Sequence, residues 1–232
     1  VNYVLVRTAE PAFAVAGTLA KVMEASVHTV PADVSDDDFV RALGDPDAVL
    51  GVVAHDDRVW DVLRRCTVPI VLVPAGTDPV QYDIDRVLVP LDGTDEAAHA
   101  VSETVRLFGA AGFEIVVLHV FDRGTVPAHW DQAAHARDAW EHEFVARYCT
   151  PYFPGVCQTL TLRSGVPGDM IVDVAAEHAD LIVLGWSRQL LLGRARTVRG
   201  AVAGASVPVM LVPAASGRKG WVAAISRTSR PE

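Results

Sequence analysis

The segment Thr67-Val-Pro-Ile-Val-Leu-Val-Pro-Ala75 returns, with conservative changes, as Ser206-Val-Pro-Val-Met-Leu-Val-Pro-Ala214. Two weaker echoes accompany it. Asn2-Tyr-Val-Leu-Val6 parallels Asp85-Arg-Val-Leu-Val89, and Asp47-Ala-Val-Leu-Gly51 resembles Asp180-Leu-Ile-Val-Leu-Gly185 with one residue inserted. Between those two echoes lie 45 residues in the first copy (2 to 47) and 95 in the second (85 to 180). Self-similarity in constant order is the mark of a repeated structural unit. The shorter spacing leaves the first copy without about one strand–helix pair, since a parallel crossover needs a dozen or more residues. The expected organisation is a shortened, degenerate unit over 1–80, a near-complete unit over 81–214 and a small, polar, basic tail over 215–232.

The echoes fall in short runs of Val, Ile and Leu that alternate with helical patterns, which predicts an α/β protein with parallel sheets. In the first copy, strands are expected at 2–7, 26–31, 48–54 and 69–74, with helices near 11–24, 36–44 and 57–66. In the second, strands are expected at 86–91, 114–120, 158–163, 180–185 and 207–212, with helices near 95–110, 131–149, 168–178 and 194–205. No apolar run reaches the roughly 18–20 residues that span a bilayer. The first residues lack the basic start and cleavage site of a secretory leader. Three cysteines in 232 residues suit a reducing compartment, so a cytoplasmic location is expected. A net charge of −9 argues against nucleic acid or an anionic membrane as the main partner. Against that acidic background, four arginines (Arg188, Arg194, Arg196, Arg199) cluster between Gly185 and Gly200 with no acid among them.

A doubly wound sheet binds ligands beyond the carboxyl ends of its strands, where strand order reverses. If the second copy winds 3-2-1-4-5, that crevice receives Asp92-Gly93-Thr94 from its first strand and Gly185-Trp-Ser-Arg188 from its fourth. The helix from 194 then brings unpaired N–H groups and arginines to the same place, a pattern that suits an anion. The same arginines also suit a merely solvated helix.

Arg86-Val-Leu-Val-Pro-Leu-Asp-Gly-Thr94, Leu118-His-Val120, Gly165-Val-Pro167 with Ile171, Asp180-Leu-Ile-Val-Leu-Gly185 and Ser206-Val-Pro-Val-Met-Leu-Val212 together resemble the universal stress protein family, over about 85–214. The resemblance implies a Rossmann-like, adenine nucleotide alpha hydrolase-like unit with strand order 3-2-1-4-5, pairing through its last strand. Here the strands at 69–74 and 207–212 would pair antiparallel within one chain, with a homodimer as a further expectation. It also implies an adenine nucleotide, ATP or AMP, as the candidate ligand, with no metal required. Asp92 and Val120 would flank the adenosine, and Gly185 would open a Gly-x2-Gly-x9-Gly-Ser/Thr phosphate loop. Arg188 stands at the second glycine position, Gly193 best matches the third, and Arg194 follows it in place of Ser or Thr. A glycine loop lets backbone N–H groups approach phosphate oxygens, which a side chain at 188 obstructs. A guanidinium can instead hold an anion directly.

Other constellations have ordinary readings. Asp36-Asp37-Asp38 after Ser35 reads as a capped helix start. Asp131, His135, Asp138 and His142 share a helix face, but His135 and His142 lie about 10 Å apart along the axis, too far for one zinc. Opposite them, Trp140, Phe144 and Tyr148 form a stripe expected in the core. His55-Asp56-Asp57 reads as a strand end followed by a helix cap. Cys149 and Cys157 lack redox-pair spacing. No P-loop, HExxH or GxGxxG sequence occurs. The leading expectation is a non-catalytic binding or regulatory protein of stress response. The alternatives are a scaffold that binds no nucleotide, and a weak nucleotide hydrolase using Asp92 as a base or metal ligand.

Overall fold

A computed structural model describes residues 1–56, 59–121, 134–187 and 194–214. The first half runs β1 (Tyr3–Arg7), α1 (Glu10–Val22), β2 (Ser26–Val30), α2 (Asp36–Leu43), β3 (Ala48–Ala54), α3 (Val59–Arg65) and β4 (Ile70–Val73). The second half runs β5 (Arg86–Pro90), α4 (Asp95–Ala110), β6 (Glu114–Phe121), α5 (Ala134–Phe144), β7 (Gln158–Ser164), α6 (Pro167–His178), β8 (Leu181–Trp186), α7 (Arg194–Gly204) and β9 (Val209–Pro213). These elements fall where the periodicity predicts, with one departure. The helix expected over 131–149 ends as an α-helix at Phe144 and continues as a π-helical turn, Val145–Cys149. There Thr150 N–H reaches back five residues to the Val145 carbonyl at 2.9 Å. The 215–232 tail, Asp57 and Asp131 lie outside the described residues.

The nine strands of the described residues join in one sheet, in the order β2-β1-β3-β4-β9-β8-β5-β6-β7. The second half has the 3-2-1-4-5 winding, read from its far edge as β7-β6-β5-β8-β9. The first half has β2-β1-β3-β4, with no strand beyond β2 among the described residues. Within each half the strands are parallel. Between the halves the pairing is antiparallel: Ile70 faces Leu211, Val71 faces Met210 and Leu72 faces Val209. The four side chains of β4 and the first four of β9 are all buried. This joint covers two apolar edges that would otherwise template pairing with other chains.

Two apolar layers sandwich the sheet. Helices α1 and α4 pack on one face with Phe144, Cys149 and Phe153. Helices α2, α3, α6 and α7 pack on the other. The connection between the halves is tied into both. Tyr82 donates its hydroxyl to the Asp180 carbonyl at 2.7 Å and accepts at its own carbonyl from Thr18 of α1 at 2.6 Å. Burial first, then Asp180, pushes the Tyr82 phenol well above its usual range, so it remains a donor.

Local capping accounts for the acidic triplet. Ser35 Oγ accepts the Asp38 N–H at 3.1 Å. Asp36 pairs with Arg7 at 2.8 Å, Asp37 with Arg65 at 2.6 Å, and Asp38 with Arg41. Hydrogen bonds from Ser35 and Arg41 hold the Asp38 carboxyl below the usual carboxylate range.

Candidate functional site

Beyond the carboxyl ends of β5, β6 and β8 the loops and α7 enclose a cavity of about 980 Å³. This is the topological switch point, since β5 pairs on one side with β6 and on the other with β8. The volume lies at the upper end of the roughly 300–1,000 Å³ of small-molecule sites.

Its floor begins where β5 ends. Asp92 Oδ1 accepts from Thr94 N at 3.1 Å and from Thr94 Oγ1 at 2.6 Å, forming a tight turn. Thr94 Oγ1 in turn caps α4 by accepting the Ala97 N–H at 3.3 Å. Between them Gly93 adopts φ +78°, and a Cβ there would sit 3.4 Å from the His119 ring. Asp92 and Glu96 place carboxylates on this side of the cavity.

The next wall is aromatic. His119, 7% exposed, is ringed by Phe121, Trp140 and Phe144 at 4.8, 5.1 and 4.8 Å between centroids. Trp140 stacks on Phe144 at 5.1 Å, and Phe144 meets Tyr148 at 5.0 Å. All of these side chains line the cavity. His119 Nδ1 lies 2.8 Å from the Leu91 carbonyl. Burial pulls the imidazole below its usual pKa, outweighing the Leu91 hydrogen bond and the Asp92 charge.

The opposite wall comes from β8 and α7. Gly185, Trp186 and Ser187 lead in, and Ala195, Arg196, Thr197 and Val198 present the first turn of α7. The glycine at 185 has a packing reason: a Cβ there would come within 3.1 Å of the Ala100 Cβ on α4. Trp186 is 3% exposed, and its Nε1 has no hydrogen-bond partner among the described residues. Its indole centroid lies 6.0 Å from that of Trp60 on α3, and the Arg199 guanidinium sits 5.6 Å over Trp60. The first half of the chain therefore touches a residue that lines the cavity.

The cavity gathers four of the sequence-predicted residues: Asp92, Val120, Gly185 and Arg196. Arg194 opens α7, with its side chain outside the described residues, where Arg188 and Gly193 also lie. The stripe Trp140–Phe144–Tyr148 has a second role beside the core position expected of it. Phe144 is buried in the core at 2% exposure with Trp140 and Tyr148 packed against that core, and the same three rings line the cavity. His119 was not singled out by sequence reasoning, since one histidine in an apolar strand carries no periodic signal.

Among the described residues no three His, Cys, Asp or Glu side chains come together as a metal site. His142 Nδ1 lies 2.8 Å from its own helix, at the Asp138 carbonyl. Burial pushes the Cys149 thiol up to about 12, so it stays protonated, and Cys157 is exposed. No helix of the described residues is long and apolar enough to cross a membrane.

Fold and site together define a Rossmann-like α/β protein with one open switch-point cavity in its second half. The chain belongs to the universal stress protein family, whose model matches residues 83–213. Among solved structures it is similar to a universal stress protein from Archaeoglobus fulgidus DSM 4304, at 18% identity and TM-score 0.55, over 86% of this chain and 76% of that one. It is also similar to a putative universal stress protein from Pseudomonas aeruginosa UCBPP-PA14, at 17% identity and TM-score 0.58, over 97% and 86% of the two chains. A functionally unknown protein from Pseudomonas aeruginosa PAO1 matches at 16% identity and TM-score 0.58, over 97% and 85%. These likenesses concern the fold. No curated protein matches the chain in sequence.

Proposed function

We propose that this protein is a non-catalytic, cytoplasmic binding or regulatory protein of stress response whose second half holds an adenine nucleotide or a similar aromatic anion. The observation that carries this reading is the cavity's two-sided chemistry. An aromatic wall (His119, Trp140, Phe144) suits a planar base. The first turn of α7, with Arg196, suits an anionic group. Asp92 lies on the floor, where a carboxylate can accept from sugar hydroxyls.

In this reading residues 1–80 form a shortened copy of the unit over 81–214 and serve as its built-in partner. The antiparallel β4–β9 ladder supports that assignment, because it occupies the edge through which single units would pair. A scaffold role has one specific observation in its favour: the α4 contact alone explains Gly185, without a phosphate.

Thermal unfolding of the purified protein titrated with ATP, ADP and AMP, with and without Mg²⁺, tests the reading. At 100 times its dissociation constant a ligand adds about 2.7 kcal/mol. For a chain of this size that raises the midpoint by roughly 5–10 °C. A saturable rise with any of the three supports nucleotide binding, and a flat response to all three transfers the case to the scaffold.

A further inference from the structure

His119 is a buried, cavity-lining side chain with one ring nitrogen engaged and one not. Its Nδ1 lies 2.8 Å from the Leu91 carbonyl, which can only accept, so Nδ1 carries the hydrogen. In the neutral ring Nε2 is then a bare acceptor. Burial favours that neutral form. No hydrogen bond reaches Nε2 from any described residue. Phe121 and Phe144 carry no hydrogen-bond donor, and Trp140, 5.1 Å away between centroids, makes no hydrogen bond to the ring through its indole N–H. Gly93, at φ +78°, lies beside Cε1, where a Cβ would stand 3.4 Å away in ordinary contact.

We propose that His119 is the specificity-determining residue of the cavity, offering its Nε2 lone pair to an amino or N–H group on a planar heteroaromatic ligand. This rests on the nucleotide reading above and sharpens it. The wall stacks any aromatic ring without regard to substituents. His119 distinguishes rings that carry a donor at the buried edge from rings that do not. A site built to bond a donor rejects the analogue lacking it, because the acceptor is left dry and unpaired.

The test compares AMP with purine riboside 5′-monophosphate, which is AMP without its amino group, by calorimetric titration of the full-length protein. The expected result is about tenfold or more tighter binding of AMP. In His119→Phe, which keeps an aromatic ring but no acceptor, the two ligands should bind equally. Should that variant not fold, the ¹⁵N resonance of the wild-type His119 Nε2 decides. An upfield shift on adding AMP supports the bond, and an unmoved resonance in the presence of bound AMP overturns it. Equal affinity of the wild type for the two nucleotides overturns the role of His119 while leaving nucleotide binding in place. Absence of binding by both overturns the role and the reading beneath it.

Discussion

Val71 and Met210 face each other across the antiparallel ladder that joins the two halves of the sheet, and both are wholly shielded from solvent. Replacing Val71 with Asp places a carboxylate in the core layer with no cation beside it. Such a charge has to be protonated or exposed, and the expected loss is more than about 3 kcal/mol. A guanidinium unfolding curve measures it as a fall in midpoint. An unchanged midpoint would mean that the two halves are not joined this way in solution.

Gly185 and Ala100 supply a second prediction. With only 3.1 Å to the Ala100 Cβ, the substitution Gly185→Ala forces α4 away from β8, for a cost of about 1–3 kcal/mol. Ala100→Gly makes room but weakens its helix, so the pair is read as a double-mutant cycle. Favourable coupling in the thermal melts is expected. Zero coupling, with loss of ligand response alone, would return Gly185 to a phosphate-loop role.

Thr104, on α4, is 0% exposed, and its hydroxyl has no partner among the described residues. Thr104→Val keeps the shape and removes the unpaired group. Stability should rise by about 1 kcal/mol, seen as a higher melting midpoint. A fall would show that the hydroxyl is paired in solution, for example by water.

The buried His119 also predicts a pH dependence. Its pKa is lowered in the folded protein, so the unfolded chain takes up the proton first as pH falls. The stability it contributes is complete above about pH 6.5, the ordinary imidazole value, and is lost progressively below it until the folded ring titrates. Asp92, the charged neighbour, narrows that window without reversing the sign. Melting midpoints of the wild type should therefore drop more steeply below this pH than those of His119→Phe. Parallel profiles would place the proton-sensitive group elsewhere.

Much of this architecture is legible in the sequence because central parallel strands are continuous apolar runs. Residues 49–53 and 70–73 can be read as strands on composition alone, and the twin Val-Pro-x-x-Leu-Val-Pro segments mark the two strands that meet at the joint. The loops that reach the switch point are legible for a similar reason: strand order fixes which ends converge, and Asp92, Val120, Gly185 and Arg196 do converge there. The aromatic wall is not legible. Trp140, Phe144 and Tyr148 have the same spacing whether a helix faces a core or a cavity, and only the tertiary path of α5 separates the two. His119 looks like any inward residue of β6 until the Leu91 carbonyl is placed beside it. The contact between Trp60 and Trp186 joins residues 126 positions apart in the chain (60 to 186), and no local pattern announces it.

Because β4 and β9 run in opposite directions, every strand from β1 to β4 points its carboxyl end away from the side to which β5 to β9 point theirs. The molecule is therefore vectorial. At one pole stand Asp92, Gly185 and the first turn of α7; at the other stand the corresponding loops of the first half, at Thr8 and His55. Two units placed side by side in the same sense would display both sets of loops to one onlooker. This arrangement turns the two sets of loops toward opposite ends of one sheet, so a molecule resting on the loops at Thr8 and His55 would leave the mouth of the cavity uncovered.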